Sequence, residues 1–497
     1  MLKDYLKDIS WDFLSKLLIL IFLFLQIVRW AILPQFMDIY YHLLTAWGFI
    51  QAGGYSGWDF WQFAPAGRVH IYPPLFHLVL SGFIKLGVSQ VFLAKICEAG
   101  LPWALLLLTW RFMRKNYGPR LAFFVSLAFF TSFSFYLSLL NHIPATLAFI
   151  LGVLSLGELL KHKFTRSAIL LGLTFYTHIG VSFYLLAVFI LYCLFAPERK
   201  KDILRLILFA VILASPIIIK EVSALKSVTT FGFSLNEKYL IQVKVLELLL
   251  AIYGLFLAFK SRDKYNLFLS LGLGNLVFVI YPYRFFSAEG YFAVLLLAAL
   301  ALDHLYQRLN RKYVFILGCV LLVLLSPTLS MVDKISDNQR KVKVKFFDSA
   351  FMGMLFARGE SLWHPQEYIS AAKIVKDHSA DKDIVFSSLN LTGLTISSLA
   401  GRASANALLP EIGPSGELNP FISSKILVFT ALDNNEEVEK VVSILKLSKI
   451  GENKFFKIYE NPNCNTDVNP NKASVPFWLI ISISGVLILL YKYIKII

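Results

Sequence analysis

Apolar runs of about the length that crosses a bilayer recur along this chain, and they decide its class before any motif is read. They lie at about residues 12–33, 90–111, 120–140, 143–160, 166–178, 180–196, 203–219, 240–259, 265–281, 285–305, 312–330 and 474–491. A helix needs roughly 20 apolar residues to span a hydrocarbon core, and a soluble chain built from such runs would have little polar surface to show to water. Composition agrees, with 57% of the residues in the set AVILMFWYC and only 16% charged, where soluble domains carry about 25% charged residues. The sequence predicts a polytopic α-helical membrane protein with about twelve transmembrane helices, and it excludes a water-soluble enzyme.

The charge balance supplies the topology. There are 48 Lys and Arg against 32 Asp and Glu, a net charge of +16. The basic residues gather between apolar runs, at Arg111, Arg114, Lys115 and Arg120, at Lys161, Lys163 and Arg166, at Arg199, Lys200 and Lys201, and at Arg308, Arg311 and Lys312. Such clusters mark cytoplasmic loops, so no nucleic-acid partner is expected. Residues 72–88 are apolar but short, begin with Pro73 and Pro74, and carry His77 and Lys85. A crossing there would turn every later basic cluster outward, so this run is expected to be an interfacial or re-entrant helix on the outer side. The first apolar run lacks a small-residue cleavage site. It reads as a true span of the cell membrane with the N-terminus, bearing Lys3 and Lys7, in the cytoplasm. The four cysteines are scattered and imply no disulfide framework.

This assignment divides the chain into a transmembrane module, residues 1–330, an extracytoplasmic segment, 331–473, and a last span within 474–497. The outer face then receives residues 34–89, the turns at Asn141–His142 and His178, the loop 220–238, the turn ending at Arg284, and 331–473. In the last of these, helices are expected at 365–378, 394–401 and 436–447, and strands at 383–388, 425–431 and around 451–459. Alternating strands and helices predict a small α/β domain.

The first outer loop is dense in chemistry, with two acids, three His, an Arg and three Trp within residues 35–77. Asp38 follows the first span directly, where membrane meets water. Partial desolvation there raises a carboxyl group toward the range of a general base, while the same position also suits an N-cap of the following helix. Asp59, in GWDFW, can hydrogen-bond a ligand beside Trp58 and Trp61 or tie the loop to its own backbone. His70 and His77 flank the Tyr72-Pro73-Pro74 bend as candidate binding residues, and Arg68 and Arg284 are candidate cations, since the guanidinium fork grips two oxygens of an anion. Charges inside spans carry a cost and draw notice. Of these, Lys95 with Glu98 and Lys244 with Glu247 stand three residues apart and read as mutual neutralisation. Arg29 reaches Asp38 only if the first helix continues between them, and Asp303 and His304 belong to the cytoplasmic end. Loop 220–238, with its Ser and Thr, suits a gate over a lipid substrate, and Asn390-Leu391-Thr392 matches a glycosylation triplet.

An acid past the first span, a helix, a Gly turn, then WDFW, PAGR and YPPLFH ahead of a further hydrophobic segment resemble the first outer loop of the GT-C glycosyltransferases, particularly the oligosaccharyltransferase catalytic subunits. The likeness is strongest over residues 35–80. It implies transfer of a sugar from a polyprenyl-phosphate-linked donor to a lipid, glycan or protein acceptor on the outer face, with inversion and with Asp38 as base. It also favours Arg284, before a late span, as the cation for the leaving phosphate. In the family the second outer loop carries paired acids that ligate a divalent metal. Here that turn is Asn141-His142 and has no acid, a poor oxygen set for a hard cation. No metal or other cofactor is therefore expected, and His142 is a candidate phosphate contact instead. A transporter or flippase of lipid-linked glycans is the competing reading; it would place ionisable residues near the midplane, break its helices and repeat its halves, whereas here the polar residues of interest collect at one membrane face beside a large domain.

Overall fold

The computed structural model describes residues 10–32, 38–224, 241–279, 282–310, 312–334, 339–356, 365–408, 412–470 and 474–476. The expected span at 474–491 and most of loop 220–238 lie outside them. The chain forms two compact units, one of residues 1–32, 96–219 and 232–358, the other of 33–95, 220–231 and 359–497. The units cut the chain elsewhere than at 330 and 473, because the first outer loop folds with the C-terminal half.

The first unit is helical. Its centre is the helix Tyr291–Arg308, buried on every side from Tyr291 to Asp303, as an all-round apolar sequence requires. The helix Val245–Lys260 lies against it so closely that a Cβ on Gly254 would sit 2.0 Å from the Leu297 carbonyl oxygen. Only a residue without a side chain permits that approach, the small-residue contact on which membrane helices pack. Outward faces keep large apolar side chains in the open, among them Leu20 and Phe24 on Trp11–Ile32, Leu208 and Ile212 on Lys200–Ala224, and Phe259. Water would make such stripes untenable, and lipid makes them ordinary.

Among the described residues, five helices have the length and apolarity to cross a membrane: Trp11–Arg29, Gln90–Tyr117, Ile143–Leu160, Pro197–Ala224 and Pro282–Arg308. The twelve expected spans are not all single long helices. Residues 120–140 fold as Pro119–Ala128 and Phe133–Asn141, bent by 80°. The break is held by hydroxyls: Thr131 Oγ1 donates to the Ala128 carbonyl at 2.8 Å, and Ser132 Oγ accepts from the Phe135 amide at 3.2 Å. These bonds satisfy backbone groups that lipid cannot. Other runs yield shorter helices, Phe164–Phe175, Ile179–Phe195 and Lys312–Leu325. A three-stranded antiparallel sheet, Ile241–Val243 with Thr328–Lys334 and Gln339–Lys345, completes this unit.

The second unit is built on a five-stranded sheet in the order Ser448–Glu452, Phe456–Glu460, Ile426–Thr430, Ile384–Ser387, Ala403–Ser404. The first three pair antiparallel and the last three parallel. Every residue of Ile426–Thr430 is buried, the mark of a strand covered on both faces. Ile426, Val428, Phe456 and Ile458 pack under the helices Pro365–Asp377 and Asn390–Ala400, while Leu427, Phe429 and Tyr459 pack under Asn435–Leu445. The helix Asp38–Ala52 joins this assembly through Leu44, Trp47 and Phe49, which share a core with Trp61, Leu394 and Ala403. Gly48 makes the seat for the Trp61 indole, since a Cβ there would lie 2.1 Å from the ring. Backbone bonds seal the join, from the Ser404 amide to the Trp61 carbonyl and from the Ala64 amide to the Ser404 carbonyl, both 3.0 Å.

Candidate functional site

In the second unit, Asp38 opens the helix Asp38–Ala52, and the four-residue spacing sets His42 on the same face one turn on. His42 Nε2 lies 2.7 Å from Asp38 Oδ2. The bend at Pro73 and Pro74 starts a second helix, Leu75–Lys85, and its His77 presents Nε2 at 2.8 Å from His42 Nδ1. Ser81 Oγ donates across to the Ala46 carbonyl at 3.0 Å and fixes the two helices in register. The result is a continuous chain, Asp38 to His42 to His77. Both imidazoles are fully buried, while Asp38 keeps 16% of its side chain exposed. Tyr72 and Phe76 stand edge-on to the His42 ring at 5.0 and 5.3 Å. Burial holds His77 well below the usual imidazole range, reinforced by the charges of His42, His70 and Lys220. A carboxylate with one oxygen tethered and part of its surface open can accept a proton from a hydroxyl or amide brought to it.

Behind this chain, the other expected residues are drawn together. His70 Nδ1 meets Asp59 Oδ1 at 2.5 Å, and Arg68 Nε donates to Asp59 Oδ2 at 3.2 Å. The His70 ring stands 5.7 Å from that of His77. Burial lowers the His70 pKa, against the opposing pull of Asp59. Of the two readings of Asp59 the geometry matches the loop tie, and the Asp59 and Arg68 side chains are 2% and 3% exposed. Arg68 also donates to Gln62 Oε1 at 3.0 Å and to the carbonyls of Leu408 and Ile412 at 2.6 and 3.0 Å. Both residues are therefore occupied in holding the loop to the sheet. Trp58 is half-buried over the left-handed turn at Gly67 (φ +66°). Asn390 likewise bonds the Ala407 backbone through both atoms of its amide.

Lys220, which the sequence reading left in a loop, ends the helix Lys200–Ala224 with 22% of its side chain exposed. Its Nζ is 3.2 Å from Glu221 Oε1, 3.5 Å from the Tyr72 carbonyl and 5.4 Å from the centre of the Tyr55 ring.

The first unit gathers the remaining two candidates. Arg284 bonds Glu289 through Nη1, and His178 Nε2 stands 3.8 Å from the same carboxylate oxygen. His178 Nδ1 accepts from the Val181 amide at 3.3 Å, so a neutral ring carries its proton on Nε2, toward Glu289. His142 sits at the joint of Phe133–Asn141 and Ile143–Leu160, its ring 6.3 Å from Tyr283, and its charge acts on Glu289. Glu289 is buried while Arg284 keeps 28% of its side chain exposed. Among the described residues no group of three or more His, Cys, Asp or Glu has a geometry that holds a metal ion.

Sequence reasoning missed His42 and Glu289. The four-residue interval from Asp38 signalled the first, and nothing local signalled the second. The first helix ends at Ile32, and within its own unit Arg29 donates to the Gly353 carbonyl at 3.2 Å.

No family model matches the sequence, and no curated protein matches it. Among solved structures, the chain is similar to the oligosaccharyltransferase of Archaeoglobus fulgidus in complex with Zn and sulfate, with a TM-score of 0.53 and 13% identity over 84% of this chain and 68% of that one. It is similar to archaeal oligosaccharyltransferase AglB from the same organism in complex with an inhibitory peptide and a dolichol-phosphate (TM-score 0.54, 13% identity, 84% and 69% covered). It is also similar to ArnT from Cupriavidus metallidurans bound to undecaprenyl phosphate (TM-score 0.52, 11% identity, 89% and 97% covered). Likeness at this identity concerns the fold: the chain has a GT-C-like fold over most of its length.

Proposed function

We propose that this chain is a membrane glycosyltransferase that moves a hexose or pentose from a polyprenyl-phosphate-linked donor to a lipid, glycan or protein acceptor on the outer face of the cell membrane. Its N-terminus would lie in the cytoplasm. The reading is supported by a GT-C-like fold and by neighbours whose structures were solved in complex with dolichol-phosphate and undecaprenyl phosphate. Fold alone does not assign a reaction. The observation that carries the proposal is Asp38, a carboxylate half-sunk at the start of a helix just past an apolar span, with Oδ2 held by His42 and side-chain surface left open.

In the proposed step, Asp38 accepts the proton of the acceptor hydroxyl or amide. The freed electron pair attacks the anomeric carbon from the face opposite the phosphate. The bond from that carbon to the phosphate oxygen breaks, its pair leaves on the polyprenyl phosphate, and the configuration inverts. Arg284 and His142 are proposed to meet the phosphate charge, and Trp58 to line the way to the acceptor. No metal enters this scheme.

The test is a deletion strain carrying either the wild-type chain or Asp38→Asn, with mass spectrometry of its surface lipids, glycans and glycoproteins. The sugar lost on deletion should return with wild type and stay absent with Asp38→Asn, although the variant reaches the membrane at normal level. Return of the sugar with Asp38→Asn would remove Asp38 as base.

A further inference from the structure

We infer that His42 is the positioning residue of Asp38, donating to it from Nε2 and accepting from His77 at Nδ1. The inference rests on the proposed role of Asp38 and adds the device that aims it. His42 stands between two acceptor-capable atoms at 2.7 and 2.8 Å. An ionised carboxylate only accepts, so the proton of the first bond belongs to His42 Nε2. A neutral His42 then has a bare Nδ1, and the proton of the second bond must come from His77 Nε2. Exchanging His42 to its other tautomer would set two lone pairs against each other at the Asp38 end. The carboxylate thus sets the tautomer of His42, and His42 sets that of His77. The first bond pins Oδ2, while 16% of the Asp38 side chain stays exposed.

The groups that face His42 are few. Its own helix supplies Asp38 and Tyr41, and the segment through Leu75–Lys85 supplies Tyr72, Phe76 and His77. His70 stands with its ring 5.7 Å from that of His77, and Lys220 acts on His77 by charge. No carboxylate other than Asp38 reaches the His42 ring among the described residues.

Two substitutions separate positioning from packing. Gln extends its amide nitrogen to about where Nε2 stands, whereas Asn reaches only the Nδ1 position. The full-length chain is placed in lipid nanodiscs at neutral pH, and the carboxylate infrared band that disappears in Asp38→Asn is recorded. His42→Asn should shift the frequency of that band, because Oδ2 loses the N–H that bonds it, and His42→Gln should return it to the wild-type position. Should His42→Asn fail to fold, the wild-type chain labelled at histidine nitrogens gives the same answer by solid-state NMR. His42 should carry its proton on Nε2 with Nδ1 bare at neutral pH. An unmoved band in folded His42→Asn, equal shifts in Asn and Gln variants, or a protonated Nδ1 would each overturn the inference. These readouts need no substrate, so they fail independently of the transfer assay that tests Asp38 as base.

Discussion

Arg68 decides between two accounts of the first outer loop, one in which it grips a phosphate and one in which it staples the loop to the sheet. The structure supports the staple, with four donated bonds to Asp59, Gln62, Leu408 and Ile412, all inside the second unit. Arg68→Met keeps the length and apolar bulk of the side chain but removes the charge and every donor. Asp59 would then be buried with His70 as its one remaining partner among these groups, and two backbone carbonyls would lose their donor. Removing one member of a buried ion pair costs about 3–5 kcal/mol, and the carbonyls add to that without summing independently. At roughly 2–4 °C per kcal/mol for a unit of this size, the melting midpoint should fall on the order of 10 °C. Tryptophan fluorescence of the detergent-solubilised chain reports it, since Trp47, Trp58 and Trp61 all lie in this unit. Arg68→Lys should recover little, because an ammonium cannot span four acceptors set around a planar fork. A variant that melts within a degree or two of wild type yet loses donor turnover would refute the staple and restore Arg68 to the substrate.

Two further outcomes follow from the same geometry. EDTA should leave transfer unchanged, because neither the second outer turn nor any described cluster supplies a metal's ligand set; strong inhibition, reversed by added Mg²⁺ or Mn²⁺, would argue for a metal site. The buried histidines give a pH dependence with a fixed sign. His70 and His77 are held below their unfolded value of about 6.5, so the unfolded chain binds more protons as pH falls. Their contribution to stability is complete above that value and drains away as pH drops through the folded pKa values. The fluorescence midpoint should be flat above about pH 7.5 and decline toward pH 5, less steeply in His77→Gln, and a midpoint that rises on acidification would contradict this.

Much of the α/β sheet could be read locally. The strand expected at 383–388 is Ile384–Ser387, that at 425–431 is Ile426–Thr430, and the helix expected at 365–378 is Pro365–Asp377. Each announces itself by an apolar period within its own few residues. The union of loop and sheet could not be read, because Trp61 meets Ser404 and Arg68 meets Leu408 across more than 300 residues of chain. The same reason hid the inward turn of Asp59 and Arg68, whose types and spacing fit a sugar-binding loop as well as a buried pair. His42 was visible as a residue but not as a partner. Its interval from Asp38 is local, yet its meaning depends on His77, brought up by another helix. The bend at residues 129–132 lay inside a run apolar enough to hide it, and hydroxyls at Thr131 and Ser132 were its sole sign.

The disposition of the charges bears on the competing reading as a transporter. Carriers keep ionisable residues near the midplane poised to exchange partners. In this chain the costly charges associated with apolar helices are locked. Lys244 Nζ is shared among Ser326 Oγ, Thr328 Oγ1 and the Asp348 carbonyl at 2.7 to 2.8 Å, and Glu247 accepts from Ser326 Oγ at 3.3 Å. Arg29 is tied to the Gly353 carbonyl, and Asp303 pairs with Arg120. Three hydrogen bonds to protein oxygens hold this lysine in place. Asp38, Arg284 and Lys220 keep part of their surface open, and each stands at or near the end of a helix. Charges locked within the helical core and open ones at helix ends suit chemistry on a headgroup better than passage of a solute through the bundle.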